Sequence, residues 1–161
     1  MRAAPQKRIN EKALKVWRIS AAISSIFGWF IFAGVLALTL IFDWPIWIIW
    51  SLLALIVIES VVSIVILPKI RWKRWRYEVL EHEVDLQFGL FSINRRLIPM
   101  VRVQHVDTQQ GPILRKFKLA TVTISTAAGT HEIPALDEEE ADELRDFISK
   151  LARVVDEDDV I

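Results

Sequence analysis

The sequence predicts a transmembrane hairpin of two α-helices followed by a small, mainly β domain that ends in an amphipathic helix. Of the 161 residues 53% are hydrophobic and the mean hydropathy is +0.33, yet 25% are charged. The charges are segregated, since residues 1–76 hold eleven of the 20 basic residues but only three of the 20 acidic ones. The hydrophobic period then changes from helical to alternating after Pro68. This composition excludes a disordered, collagen-like or disulfide-rich chain.

Two apolar stretches are long enough to cross a bilayer. Residues 19–42 contain no charged side chain, and at about 1.5 Å per residue they span the roughly 30 Å hydrocarbon core. Residues 46–67 form a second stretch, which carries one charge, Glu59, and is predicted to end at Pro68. A cleaved signal peptide is disfavoured, because the first stretch is too long, lacks a small-residue cleavage site and is followed directly by a second span.

Basic side chains flank the two stretches, and none lies in the turn between them. They are Lys7, Arg8, Lys12, Lys15, Arg18, Lys69, Arg71, Lys73, Arg74 and Arg76. Because Lys and Arg near span ends resist translocation, both termini are predicted to be cytoplasmic, and residues 1–18 to form a basic cytoplasmic segment. We interpret these residues as topology determinants attracted to anionic lipid, in preference to a specific lipid site.

Glu59 is the one ionisable residue within either span. A carboxylate near the bilayer centre costs several kcal/mol unless it is paired or protonated. If the two helices pack antiparallel, Ser25 and Trp29 are candidates to hydrogen-bond with it. Two interpretations stay open: a contact to a partner's membrane helix or a proton site, and a protonated residue that packs within the hairpin.

Residues 72–155 are predicted to form one cytoplasmic domain. Apolar and polar residues alternate over about seven short segments, as in half-buried antiparallel strands. The segments include residues 75–79, 84–90, 93–98, 100–108, 120–125 and 131–135. After Asp137, a predicted N-cap, apolar residues recur at helical spacing and predict the C-terminal amphipathic helix. An acidic tail, residues 156–161, is predicted to follow.

Several short motifs in this domain are shared with a known family. They are Tyr77, Gly89-Leu90-Phe91, the run from Arg95 to Pro99, the segment from Arg102 to Val106, and Gly111-Pro112. With the two preceding spans, the chain resembles the bacterial PH-domain membrane proteins of the YdbS family. The resemblance implies a PH-like split barrel, a place in the bacterial cytoplasmic (inner) membrane and, as a partner, a larger YdbT-like protein with several such domains. It implies no catalytic activity and supplies no ligand residues.

The sequence offers no catalytic or metal-binding constellation. It has no cysteine, and the nucleotide-loop, hydrolase-elbow and zincin motifs are absent. His82, His105 and His131 are isolated in sequence, and although His105 and Asp107 share a strand face, no nucleophile accompanies them. We therefore predict no enzymatic activity, no bound metal and no cofactor.

Arg95, Arg96 and Arg102 are candidate lipid-facing residues of the domain, the alternative being ordinary solvated charge on a strand. Phosphoinositide binding at the first turn of the domain is disfavoured, because that turn, Glu81-His82-Glu83, is acidic. Nucleic-acid binding is disfavoured because residues 77–161 hold nine basic residues against seventeen acidic ones.

The leading hypothesis is a non-enzymatic, membrane-anchored interaction module that assembles with a YdbT-like partner or with copies of itself. One alternative is a sensor of anionic lipid surfaces. Another is an accessory subunit of a membrane transport or export complex, in which Glu59 would be the critical residue.

Overall fold

The computed structural model of the protein describes residues 4–158 and contains two compact units. Residues 14–70 form a helical unit. Residues 4–13 and 71–158 together form a β unit, so the two segments that flank the hairpin belong to one compact body. The helices are α1 (Ala13–Phe42), α2 (Trp47–Arg74), α3 (Pro112–Lys116) and α4 (Glu138–Asp158).

The helical unit carries both predicted spans. Helices α1 and α2 are each long and apolar enough to cross a membrane, and most of their apolar side chains are exposed. Helix α1 ends where Asp43 adopts a left-handed backbone conformation with φ of 50°. The N–H of Trp44 then donates a hydrogen bond of 3.2 Å to the carbonyl of Thr39, which caps the C-terminal end of the helix.

Helix α2 continues through Pro68, where the sequence predicted its end. A proline in an α-helix lacks the N–H donor, and its ring crowds the carbonyl four residues earlier. In this chain the turn Val62–Ile66 is a π-helix, and the N–H of Leu67 reaches back to the carbonyl of Val62. In a π-helical turn each N–H bonds to the carbonyl five residues earlier, so the hydrogen bonds around the proline differ from those of a regular α-helix. The helix therefore continues through Pro68 to Arg74.

The β unit contains seven strands in two antiparallel sheets. The first sheet has the order β1-β2-β3-β4 and the second the order β5-β6-β7, and the two do not close into a barrel within the described residues. The strands are β1 (Lys7–Arg8), β2 (Arg76–Val79), β3 (Glu83–Phe88), β4 (Asn94–Pro99), β5 (Val103–Gln109), β6 (Leu119–Thr126) and β7 (Gly129–Asp137). The turn between β6 and β7 is shorter than predicted, because both strands extend into residues 126–130.

The N-terminal segment is part of the β unit, which corrects the predicted domain boundary at residue 72. Strand β1 pairs with β2, with Lys7 opposite Tyr77. Ile9 and Ala13 are buried, and the N–H of Asn10 donates to the carbonyl of Ala135 at 3.2 Å. Part of the basic segment 1–18 thus forms an edge strand of the β unit, and part of it supplies side chains to the core of that unit.

Helix α4 packs on β5, β6 and the turn of residues 100–102. Its buried face includes Ala141, Leu144 and Ile148, at the helical spacing that the sequence predicted. Asp137 is the last residue of β7, and its carboxylate accepts hydrogen bonds from the side chains of Asn10 and Lys12. The predicted acidic tail begins inside this helix, which runs to residue 158, and residues 159–161 lie outside the described residues.

Candidate functional site

Glu59 lies exposed on α2 and hydrogen-bonds along its own helix. The hydroxyl of Ser63 donates to Oε1 of Glu59 at 2.7 Å, four residues further on. The predicted partners are arranged differently: Ser25 is buried with its hydroxyl unpaired, and Trp29 is 42% exposed. The structure therefore does not join Glu59 to Ser25 or Trp29 by a hydrogen bond. The i,i+4 spacing to Ser63 is the signal in the sequence that would have identified the observed bond.

The hydrogen bond from Ser63 satisfies only part of the carboxyl group of Glu59. A carboxyl group has two oxygens, and at membrane depth no water is present to complete their hydrogen bonding. Exposure of such a group to lipid is costly, and intramembrane acids accordingly face a bundle interior or an aqueous cavity. Glu59 is thus an exposed carboxyl group whose hydrogen bond in the described structure comes from Ser63 of its own helix.

Arg95 is engaged with a buried carboxylate. Its Nε lies 3.0 Å from both carboxylate oxygens of Asp85, and its Nη2 contacts the same group. Asp85 is only 2% exposed, and its hydrogen bonds raise the pKa of Arg95 above the ordinary value. The pair carries no net charge, so Arg95 is not a free cation for a lipid surface. The sequence did not predict this pair, because it depends on the register of β3 against β4.

Arg96 projects from the opposite face of β4 and contacts two side chains. Its Nη1 lies 3.2 Å from Nδ1 of His131, and its guanidinium lies 5.8 Å from the ring centroid of Phe88. Burial, together with the charge of Arg96, lowers the pKa of His131. Because Arg96 can only donate, His131 accepts at Nδ1 in its neutral form. Arg102 is exposed in the turn before β5, so the three candidate arginines do not form one continuous basic face.

His105 and Asp107 approach each other on β5, as their shared strand face predicted. Nε2 of His105 lies 3.3 Å from Oδ1 of Asp107, and both side chains are largely exposed. Within residues 4–158 no group of three or more His, Asp or Glu side chains is arranged to hold a metal ion. The pair has the geometry of a surface ion pair, worth at most about 1 kcal/mol.

Two of the basic residues that were predicted to determine topology make contacts within the β unit. The guanidinium of Arg8 lies 5.9 Å from the ring centroid of Trp72. Lys12 reaches Asp137 at 3.4 Å. Both side chains thus make contacts within the β unit.

The fold and these surfaces define a class: two membrane spans joined to a small domain of two antiparallel sheets and a C-terminal helix. The chain belongs to the bacterial PH domain family, whose sequence profile matches residues 22–152. It is 54% identical over 158 residues to the UPF0699 transmembrane protein YdbS of Bacillus subtilis (strain 168), a match that covers 98% of this chain and 99% of that protein.

A second relative is a larger protein. The chain is 32% identical over 85 residues to the UPF0699 transmembrane protein YdbT of the same organism, a match that covers 50% of this chain and 17% of YdbT. No solved structure matches this chain significantly. The predicted resemblance and fold class are therefore confirmed, and the protein is a transmembrane protein with a PH-like domain.

Proposed function

We propose that this protein is a membrane-anchored interaction module that assembles, through its second span, with another membrane protein. The observation that carries the proposal is the exposed carboxyl group of Glu59, whose hydrogen bond in the described structure comes from Ser63 of the same helix. A helix of a partner would remove this group from lipid and supply its remaining hydrogen bonds. The proposal assigns no catalytic step to the chain.

The partner we propose is a larger YdbT-like membrane protein or a second copy of this chain. The similarity to YdbT over 85 residues supports the first choice, because related domains offer related surfaces. The proposed place is the bacterial cytoplasmic membrane with both termini in the cytoplasm. The basic flanks support this orientation, and the compact unit of residues 4–13 with 71–158 supports a common side for the two ends.

The test is purification of the tagged full-length protein from its native membrane in mild detergent, with mass spectrometry of co-purifying proteins. Wild type and Glu59→Gln, which keeps hydrogen-bonding capacity, should retain a stoichiometric partner, and Glu59→Leu should lose it. Val57→Ala is the matched control, because Val57 is 43% exposed and lies about 200° around the helix from Glu59. Retention of the partner by Glu59→Leu at the wild-type ratio would refute the contact.

A sensor of anionic lipid surfaces is the second candidate function. The exposed Arg96 and Arg102 favour it, whereas the pairing of Arg95 with Asp85 removes one of the three predicted cations. The distinguishing result is salt-dependent binding of anionic vesicles to the full-length protein in nanodiscs, reduced by Arg102→Gln. An accessory role in transport would instead make activity of a co-purified transporter depend on Glu59.

A further inference from the structure

The loop between β3 and β4, residues 89–93, presents two neighbouring apolar side chains to solvent. Phe91 is 90% exposed and Ile93 is 62% exposed. Among the exposed large apolar side chains of the described residues, Phe91 has the largest exposed fraction. Neighbouring exposed apolar side chains held on one loop mark a contact surface.

The backbone holds this loop in a tight turn. Gly89 has φ of +138°, and a Cβ at this position would lie 1.9 Å from the carbonyl oxygen of Ser92. The base of the loop is fixed as well, because the ring of Phe88 stacks on buried Trp75 at 5.8 Å between centroids and 24° between planes. Phe91 therefore projects from a defined turn, where its exposure follows from backbone geometry.

A hydrogen bond connects this loop to the end of the second span. Nη1 of Arg74 donates to the carbonyl of Phe91 at 3.1 Å. Arg74 is the last residue of α2 and follows Leu67, the end of the apolar stretch, by seven residues. Seven residues are about two helical turns, so Arg74 follows the apolar stretch closely in the sequence.

The neighbouring residues are those expected at a lipid interface. Trp72 lies on the same helical end as Arg74, and aromatic rings with a polar edge are enriched at headgroup level. Arginine side chains there extend their apolar stems along lipid and keep their charge in water. The loop thus combines exposed apolar side chains with a hydrogen bond to Arg74, a residue that follows the second span closely in the sequence.

We propose that the tip of this loop inserts Phe91 and Ile93 into the interfacial layer of the bilayer that holds α1 and α2. The occupant is lipid, and the insertion tethers the β unit to the membrane surface at a second point besides its covalent links to the spans. This inference is independent of the proposed partner, because it depends neither on Glu59 nor on a contact with another protein.

The experiment uses single-cysteine variants of the full-length protein, which has no native cysteine. Ser92→Cys carries an environment-sensitive fluorophore beside the tip and leaves Phe91 and Ile93 intact. Glu81→Cys is the positional control, because Glu81 is exposed in the turn at the opposite end of β2 and β3. Each labelled protein is reconstituted at low protein-to-lipid ratio in nanodiscs that contain lipids with a headgroup-level quencher.

We expect several-fold stronger lipid quenching at Ser92→Cys than at Glu81→Cys, and a fall to the Glu81→Cys level when Phe91→Asn is added. The matched apolar control, Val101→Asn, should leave the quenching at Ser92→Cys unchanged, because Val101 is 49% exposed beyond the far end of β4. Equal quenching at the two labels would overturn the proposal. A label at Ser92→Cys that is shielded from water but not quenched by lipid would show that the loop contacts protein and not lipid, against the proposal. Quenching that is unchanged by Phe91→Asn would show that Phe91 does not insert the loop into the bilayer.

Discussion

The phenol of Tyr77 donates a hydrogen bond of 2.7 Å to Oε1 of Glu140 and joins strand β2 to the first turn of α4. Tyr77 is fully buried, and β2 also pairs with the N-terminal strand β1. One side chain thus connects the beginning, the middle and the end of the β unit.

Tyr77→Phe should destabilise the β unit by about 1.5–3 kcal/mol, the usual range for a hydrogen bond to a charged group. The ring and its packing remain in this variant. The lost stability therefore reports the missing hydroxyl group and the carboxylate of Glu140, which no longer accepts a hydrogen bond from it. Thermal unfolding of the detergent-solubilised protein measures the change. Glu140→Gln still accepts a hydrogen bond and should cost less, whereas equal stability of Tyr77→Phe and wild type would show that the bond contributes nothing.

The stability of the β unit should also fall with rising pH above about 10. Burial and the hydrogen bond to Glu140 raise the pKa of Tyr77 far above its ordinary value. Above the ordinary pKa, the unfolded phenol loses its proton while the folded one keeps it, so increasing pH favours unfolding. Since Tyr77 is the one tyrosine of the chain, tyrosinate absorbance during alkaline unfolding belongs to it alone. Ionisation that precedes unfolding would contradict this prediction.

Arg95→Ala should lower the thermal midpoint far more than Arg102→Ala. The first change leaves the carboxylate of Asp85 buried without its cation, whereas the second removes an exposed charge. The double variant Arg95→Ala with Asp85→Asn should recover part of the loss, because the uncompensated charge is gone. Equal midpoints for the two arginine variants would mean that Asp85 is satisfied by other groups.

Gly89→Ala should cost about 1–3 kcal/mol, because only glycine adopts its backbone conformation without strain. The added Cβ would meet the carbonyl of Ser92. Gly111→Ala is the matched control, since nothing lies within 4 Å of the position that its added methyl group would take and its φ is −74°. Denaturant unfolding of both variants provides the comparison, and similar midpoints would indicate that the turn relaxes freely.

Membrane orientation can be tested with an impermeant maleimide in intact bacterial protoplasts. Ile46→Cys, in the turn between the spans, should react from outside, and Glu81→Cys should react only after permeabilisation. The basic flanks motivate this orientation. The reverse pattern of reactivity would place the β unit on the outer side.

Features that depend on residues close together in the sequence could be predicted, whereas contacts between residues far apart in the sequence could not. The spans and strand β3 are predicted because uninterrupted apolar stretches and alternating patterns are local signals. Strand β1 has only two residues, Lys7 and Arg8, and its partner Tyr77 lies beyond both spans, so no local pattern reveals it. The bond from Ser63 to Glu59 is local, but the predicted partners of Glu59 lay on the other helix, where the structure forms no such bond.

In the candidate site, too, the contacts between residues on different strands could not be predicted from the sequence. The sequence groups Arg95 and Arg96 as candidate lipid-facing residues, because the contact of Arg95 with Asp85 depends on the strand register. The exposure of Phe91, which lies in the turn that begins at Gly89, was not predicted from the sequence.

The pairing of β1 with β2 constrains how the protein is made. Residues 4–13 leave the ribosome before either span, yet the strand they join is translated only after both spans are complete. The β unit cannot finish folding until the hairpin has inserted with its two ends on one side of the membrane. A hairpin inserted with its ends on opposite sides would separate Ile9 and Ala13 from the core that they fill, so the β unit of such a molecule would lack part of its core.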